Sequence, residues 1–317
     1  MSLQRPPSSL LLRRYVHTGL LSLLLLSACA QPPPYGSPER TGTSPAILIE
    51  SSGLAPSRRD AQLLWSHNDS GGQPVVYAMD PNGARRGDLR LQGVANHDWE
   101  DIASFELDGR AWLLIADTGD NASNRTDCAV YVVAEPDPAD LSPTKETLTQ
   151  VAWKIPVRYL DGPRDCEAVA VDARAGLIYL LAKRTSPHGL YTLPLRPPAD
   201  GVLPAAMPVA QLPASHFPRP SVTQSMMPIP TGMYRAQPTG MDFAADGSAA
   251  VVVTYGDVLV FNRKPAERWA DALSRTPVVL PPHGLTQAEA VTFGADSKTI
   301  YVTSEREGSA IMRYQAK

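Results

Sequence analysis

The chain has 317 residues, enough for one large domain or two modest ones, with 31 Pro and only three Cys. Its 29 Lys+Arg against 32 Asp+Glu give a formal charge of −3, which excludes the basic excess that a nucleic-acid binder carries. With 43% hydrophobic residues it can bury a core, and proline at this density opposes a mainly helical fold, because each one removes a donor and clashes with the preceding turn.

Residues 1–28 read as a signal peptide. Arg5, Arg13 and Arg14 form a positive start, and Leu20-Leu21-Ser22-Leu23-Leu24-Leu25-Leu26 is an apolar run shorter than the roughly 20 residues a membrane span needs. The segment ends in Leu26-Ser27-Ala28-Cys29, which resembles the lipobox of bacterial lipoproteins. That resemblance implies cleavage before Cys29 and lipidation of its thiol. Cleavage would remove three Arg and no acid, leaving a charge of −6. Residues 29–45, Pro-rich from Gln31-Pro32-Pro33-Pro34 onward, read as an extended tether, and 46–317 as one domain. The expected location is the bacterial cell envelope, lipid-anchored and extracytoplasmic, at the outer membrane of a Gram-negative cell. Secretion after an ordinary signal peptide is the alternative.

Five segments then share one grammar of strand, turn, strand and polar loop. Their first strands are Ser52-Gly53-Leu54-Ala55, Trp99-Glu100-Asp101-Ile102-Ala103, Cys166-Glu167-Ala168-Val169-Ala170, Thr239-Gly240-Met241-Asp242-Phe243 and Ala288-Glu289-Ala290-Val291-Thr292. Turns such as Asp108-Gly109, Asp246-Gly247 and Asp296-Ser297 suit tight hairpins. The pattern predicts an all-β fold, a β-propeller of five four-stranded blades. A sixth blade inside the Pro-rich stretch 196–238 is the alternative to a long fourth strand over Val209-Ala210-Gln211-Leu212 followed by a loop. The last blade runs out of chain, so an N-terminal strand is expected to close it, with Ala46-Ile47-Leu48-Ile49 the expected segment.

Antiparallel connections bring the entry to each first strand and the loop after each second strand to one face. That rim gathers Ser52, Trp99, Glu100, Glu167, Thr239 and Glu289 with Asn68, Asp69, Lys183, Arg184, Tyr255, Glu305 and Glu307. Three glutamates at equivalent places near one axis repel unless a cation or Lys183 and Arg184 offset them. Glu100, Asp117, Asp120, Asn121 and Glu289 are the candidate metal ligands, and oxygen-only donors point to Ca²⁺. Thiolate and clustered imidazole donors, which suit zinc, are missing from the rim. The bland alternative is that each glutamate accepts hydrogen bonds from a neighbouring blade.

The run His97-Asp98-Trp99-Glu100-Asp101-Ile102-Ala103, followed by Ala116-Asp117-Thr118-Gly119-Asp120-Asn121, resembles a family of secreted bacterial β-propeller proteins of uncertain activity. Glu167-Ala168-Val169-Ala170-Val171-Asp172 and Gln287-Ala288-Glu289-Ala290-Val291 fit the same pattern. More distantly the design is similar to calcium-dependent lactonase-type propellers, which implies an ion held near the axis by groups such as Glu100, Asp120 and Asn121.

Two functions follow. One is a binding module presenting the acidic rim to a small ligand or an envelope protein. The other is a calcium-dependent hydrolase, of phosphoesterase or lactonase type, with His67 or His97 as the candidate proton carrier. Glycoside hydrolysis by Glu100 and Glu289 is a third possibility. Nucleophile-elbow, phosphate-loop and dinucleotide motifs are absent from the sequence. Cys128 and Cys166 are candidates for a disulfide, with two separate buried thiols as the alternative.

Overall fold

The computed structural model describes residues 35–198 and 201–317. The expected signal peptide, Cys29 and the first residues of the tether lie outside them. Short apolar strands punctuated by Gly, Asp and Pro turns build the chain. After β1 (Glu39–Thr43), the first blade holds β2 (Ser51–Pro56), β3 (Leu64–Asn68), β4 (Val75–Met79) and β5 (Arg85–Gln92). The second holds β6 (Trp99–Leu107), β7 (Arg110–Asp117), β8 (Ala129–Ala134) and β9 (Thr147–Pro156). The third holds β10 (Cys166–Asp172), β11 (Leu177–Ala182), β12 (His188–Pro194) and β13 (Met207–Leu212). The fourth holds β14 (Pro238–Phe243), β15 (Ala249–Thr254), β16 (Val258–Asn262) and β17 (Val278–Val279). The fifth holds β18 (Ala288–Phe293), β19 (Ile300–Ser304) and β20 (Ala310–Tyr314).

Each blade is an antiparallel meander in chain order, and the inner strands β2, β6, β10, β14 and β18 neighbour one another in a ring. This is a five-bladed β-propeller. Two details tie it together. Strands β5 and β9 pair in parallel, from Leu89 opposite Thr147 to Gln92 opposite Gln150, joining the outer edges of the first two blades. Strand β1 pairs with β20, from Glu39 opposite Arg313 to Thr43 opposite Ala310, and supplies the fifth blade's missing strand.

The closing strand therefore lies upstream of the expected segment. Residues 46–49 form a turn in which Leu48 N–H donates to the Pro45 carbonyl, with Leu48 buried and Ile47 and Ile49 exposed. An edge strand is recruited through its backbone, so the polar Glu-Arg-Thr-Gly-Thr serves where an apolar run was expected. The stretch 196–238 provides β13 and then a loop with the single-turn helix α1 (Val222–Ser225), with no sixth blade. The Asp108-Gly109 turn has φ of 53° and 70°, the left-handed pair that a two-residue hairpin requires.

Most inner and middle strands are buried on both faces. Five apolar clusters fill the five seams between neighbouring blades, each contributed by facing strands such as β7 and β10 or β16 and β18. Asp101 and Asp242 stitch the ring from within. Asp101 Oδ2 accepts N–H bonds from Val169 at 2.8 Å and Met241 at 3.1 Å, spanning three blades. Asp242 Oδ2 does the same towards Thr292 Oγ1 and the Phe293 N–H in the fifth blade.

Candidate functional site

Every inner strand starts with the same irregularity. Pairing with the second strand slips by one residue between Ser51 and Gly53, Trp99 and Asp101, Cys166 and Ala168, Pro238 and Gly240, and Ala288 and Ala290. The residues left out of the ladder are Ser52, Glu100, Glu167, Thr239 and Glu289. A bulge re-aims its extra side chain, and here five bulges place equivalent residues at one mouth of the ring. Three of those residues are glutamates, each only 3% exposed.

Glu100 stands at the centre of the acidic group. Its carboxylate belongs to two trios, with Asp69 and Asp98 and with Asp165 and Glu167, in each of which the oxygens lie within 4.8 Å of one another. The two trios differ in their charge balance. In the second, Glu167 is ion-paired with the buried Lys183, while Asp165 accepts from Arg184 Nε at 2.6 Å and from the Asp120 N–H at 2.9 Å. In the first, Asp69 Oδ1 is buried without a partner and no guanidinium or ammonium pairs with Asp69, Asp98 or Glu100 among the described residues. Ser52 Oγ donates to Glu100 Oε2 at 3.3 Å. The first trio is thus the one without a contact ion pair, with Arg125 and Lys183 acting on it only from farther away. Gly119 closes over it, and a Cβ there would overlap Glu100 Oε1 and the Asp98 carboxylate.

The electrostatics follow from this crowding. Burial, then the charges of Glu289, Asp98 and Glu50, push the Asp69 carboxyl up to about 7. Burial, then Glu167 and Asp69, hold Glu100 well above the usual carboxylate range. Burial raises Glu167 as well, against the opposing pull of Lys183. Glu289 is raised by burial and by its contact with Glu305. Gln287 Nε2 donates to both Glu289 and Glu305. Burial disfavours the Lys183 ammonium, but Glu167 and the groups around it more than offset that, and its Nζ lies 5.0 Å over the Tyr255 ring. Lys183→Met removes this counter-charge. We expect it to cost about 2 kcal/mol in urea denaturation near pH 7, and less as the pH is lowered and protonation relieves Glu167; an unchanged stability would mean that Glu167 is already neutral.

Several expected site residues have other duties. Asp117 Oδ1 accepts from Arg125 Nη2 at 2.8 Å and from the Asp98 N–H at 3.2 Å. Asp120 accepts the N–H groups of Asn124 and Arg125, each at 2.9 Å, and so shapes its own loop. Asn121 is exposed and bound by Arg184. Asn68 ties the turn before β2, accepting from the Glu50 N–H and donating to the Ile47 carbonyl. Trp99 does not line the rim. The bulge that turns Glu100 inward sends Trp99 into the seam between the first two blades, fully buried against the edge of His67. His67 is likewise no loop base: it is buried with Nδ1 3.0 Å from the Asn68 carbonyl, and burial lowers it to about 4. His97 is half-exposed beside Asp127 at 3.1 Å. Neither histidine is bonded to the carboxylate trios.

Cys128 and Cys166 are not joined but are free, buried thiols of one core cluster. Cys166 Sγ donates to the Leu181 carbonyl at 3.5 Å, and burial pushes its thiol up to about 12. Asp98 and Asp165 escaped the sequence reading as ligands. A signal was present: both stand two residues before a bulged glutamate, in Asp98-Trp99-Glu100 and Asp165-Cys166-Glu167.

Fold and site together define a β-propeller with a buried acidic cluster at one mouth. No family model matches the chain, and no curated protein does. Among solved structures, a gluconolactonase from Xanthomonas campestris aligns at 13% identity and a TM-score of 0.45, over 91% of this chain and 96% of that one.

Proposed function

We propose that this chain is an envelope-anchored propeller that holds a divalent cation at its acidic mouth and binds an oxygen-bearing small ligand or an envelope partner there. The observation that carries the reading is the trio of Asp69, Asp98 and Glu100, whose oxygens lie within 4.8 Å of one another and which no ammonium or guanidinium pairs directly among the described residues. Carboxylate donors alone suit a hard ion, and Ca²⁺ accepts the irregular geometry that side chains from two blades impose. When bound, the ion would supply the positive charge the trio lacks and positions open to a ligand oxygen. Asn68, Arg184, Tyr255 and Glu305 are the rim residues that would contact such a ligand. Calcium titrated calorimetrically into chelator-treated protein is expected to bind at one site and release protons; absence of heat would remove the cation.

Hydrolysis of a phosphoester or lactone is the second reading. It rests on the same trio and needs in addition a group that moves a proton, a role for which His67 is too buried, while His97 is bonded to Asp127 and not to the trio. The binding reading therefore stands first. Anchoring at Cys29 belongs to the same proposal. Among the described residues no helix is long and apolar enough to cross a membrane; in this reading the attachment is the lipid on Cys29. The Cys29→Ala protein is expected to leave the membrane fraction for the soluble one, and unchanged fractionation would overturn the anchor.

A further inference from the structure

The opposite end of the ring carries a second cavity. It is lined by the far ends of all five inner strands and the turns after them, from Ser57 and Ser104 to Asp172, Phe243 and Ala295, and encloses about 880 Å³. That volume falls in the range of small-molecule sites. Its chemistry is the reverse of the acidic mouth. Arg58, Arg59, Arg174 and Arg263 all line it. In this chain many arginines are held by carboxylates, yet Arg58, Arg174 and Arg263 form no contact ion pair among the described residues, Arg58 acting only from a distance on the buried Asp242.

Their positions are nevertheless built. Arg58 Nε and Nη2 both donate to the Ser104 carbonyl, at 3.1 and 2.8 Å. Arg263 donates Nε to the Glu267 carbonyl and lies 4.6 Å over the Trp269 ring, which is stacked on Phe243 with centroids 3.8 Å apart. Arg174 extends from the turn after β10, exposed and without a hydrogen bond among the described residues. Ser104 Oγ, on the same wall and 3% exposed, has no partner either. The cavity also holds three acids, so four guanidiniums face three carboxylates; Asp60 accepts the Gln62 N–H and Asp172 the Ala175 N–H, which ties them to their own turns. Glu106 is exposed.

From this convergence we infer that the second mouth is a binding site for a small oxyanion, a carboxylate- or phosphate-bearing molecule gripped by Arg58, Arg174 and Arg263. Arg174 has its whole planar fork open to such oxygens. Arg58 and Arg263, each fixed by two backbone bonds, the second of Arg263 being Nη1 to the Gly247 carbonyl, offer their remaining nitrogen and their charge. The site is independent of the acidic mouth. It lies at the other end of the inner strands and needs no metal.

The test uses the purified protein stripped of metal by chelator and then dialysed free of the chelator, so that neither an ion at the acidic mouth nor the chelator's own carboxylates interfere with the probe. Inorganic phosphate and citrate are titrated separately by calorimetry. One or both are expected to bind at a single site, with affinity falling about tenfold in Arg174→Gln and about tenfold in Arg263→Gln. Arg174→Gln breaks no internal bond and should melt at the native temperature, so it carries the test even where Arg263→Gln loosens the Trp269 stack. Preference for phosphate over citrate, or the reverse, assigns the oxyanion. Failure of both probes to bind up to about 10 mM, or binding that Arg174→Gln and Arg263→Gln leave unchanged, overturns the proposal.

Discussion

Calcium at about a hundredfold excess over its dissociation constant is expected to raise the melting temperature of the native protein by about 5 °C, and to leave Glu100→Gln unmoved. Glu100 is shared by both carboxylate trios, so converting one oxygen to an amide removes charge from each without changing the side chain's size. The pH dependence supplies an independent sign. Folding raises the Asp69 carboxyl from 3.8 to about 7, so the folded chain holds that proton more tightly than the unfolded one. The group's contribution to stability is then fully present below about pH 4 and is lost as pH rises through about 7. Glu100 shifts in the same direction. The cation-free protein should therefore melt at progressively lower temperature between pH 4 and 7, more steeply than Glu100→Gln. Calcium should flatten the slope, because the ion replaces the protons. A calcium response that survives in Glu100→Gln would take Glu100 out of the site.

Asp101→Ala is expected to cost about 3–6 kcal/mol in urea denaturation. Its carboxylate accepts the backbone N–H groups of Val169, Met241 and Ile102, and all three donors sit where water does not reach. Truncation would leave those donors unpaired and open a void where three blades meet. A loss below about 1 kcal/mol would mean that water enters the channel and takes over the bonds. Burial also holds the Asp101 carboxyl well above the usual range, although all three donors favour its anion. The destabilisation of Asp101→Asn should consequently be smaller than that of Asp101→Ala, since one acceptor oxygen survives.

Much of this molecule was legible along the chain. The recurrence of first strand, Asp-Gly turn and second strand predicts a propeller, and the blade starts at Trp99, Cys166 and Ala288 are those observed. Periodicity carries that information because each blade buries the same faces. The closing strand was misplaced because an edge strand is chosen by backbone pairing, which leaves no apolar signature in Glu-Arg-Thr-Gly-Thr. Within the site, Glu100, Glu167 and Glu289 were identifiable as equivalent, and Lys183 as their counter-charge.

What the sequence alone determined, then, is composition, repeat and the supply of acids: an all-β ring with more carboxylates than cations at one mouth. What the tertiary structure decided is which acids are free. Asp117 and Asp120 look identical to Asp69 and Asp98 in a string of letters. Arg125 pairs with one oxygen of Asp117 and loop amides hold Asp120, while Asp69 and Asp98 are left facing Glu100 without a contact ion pair. The reason is physical: a bulge one residue long sends Trp99 into the core and Glu100 into the mouth. Only the packed ring determines which backbone groups and arginines reach each carboxylate.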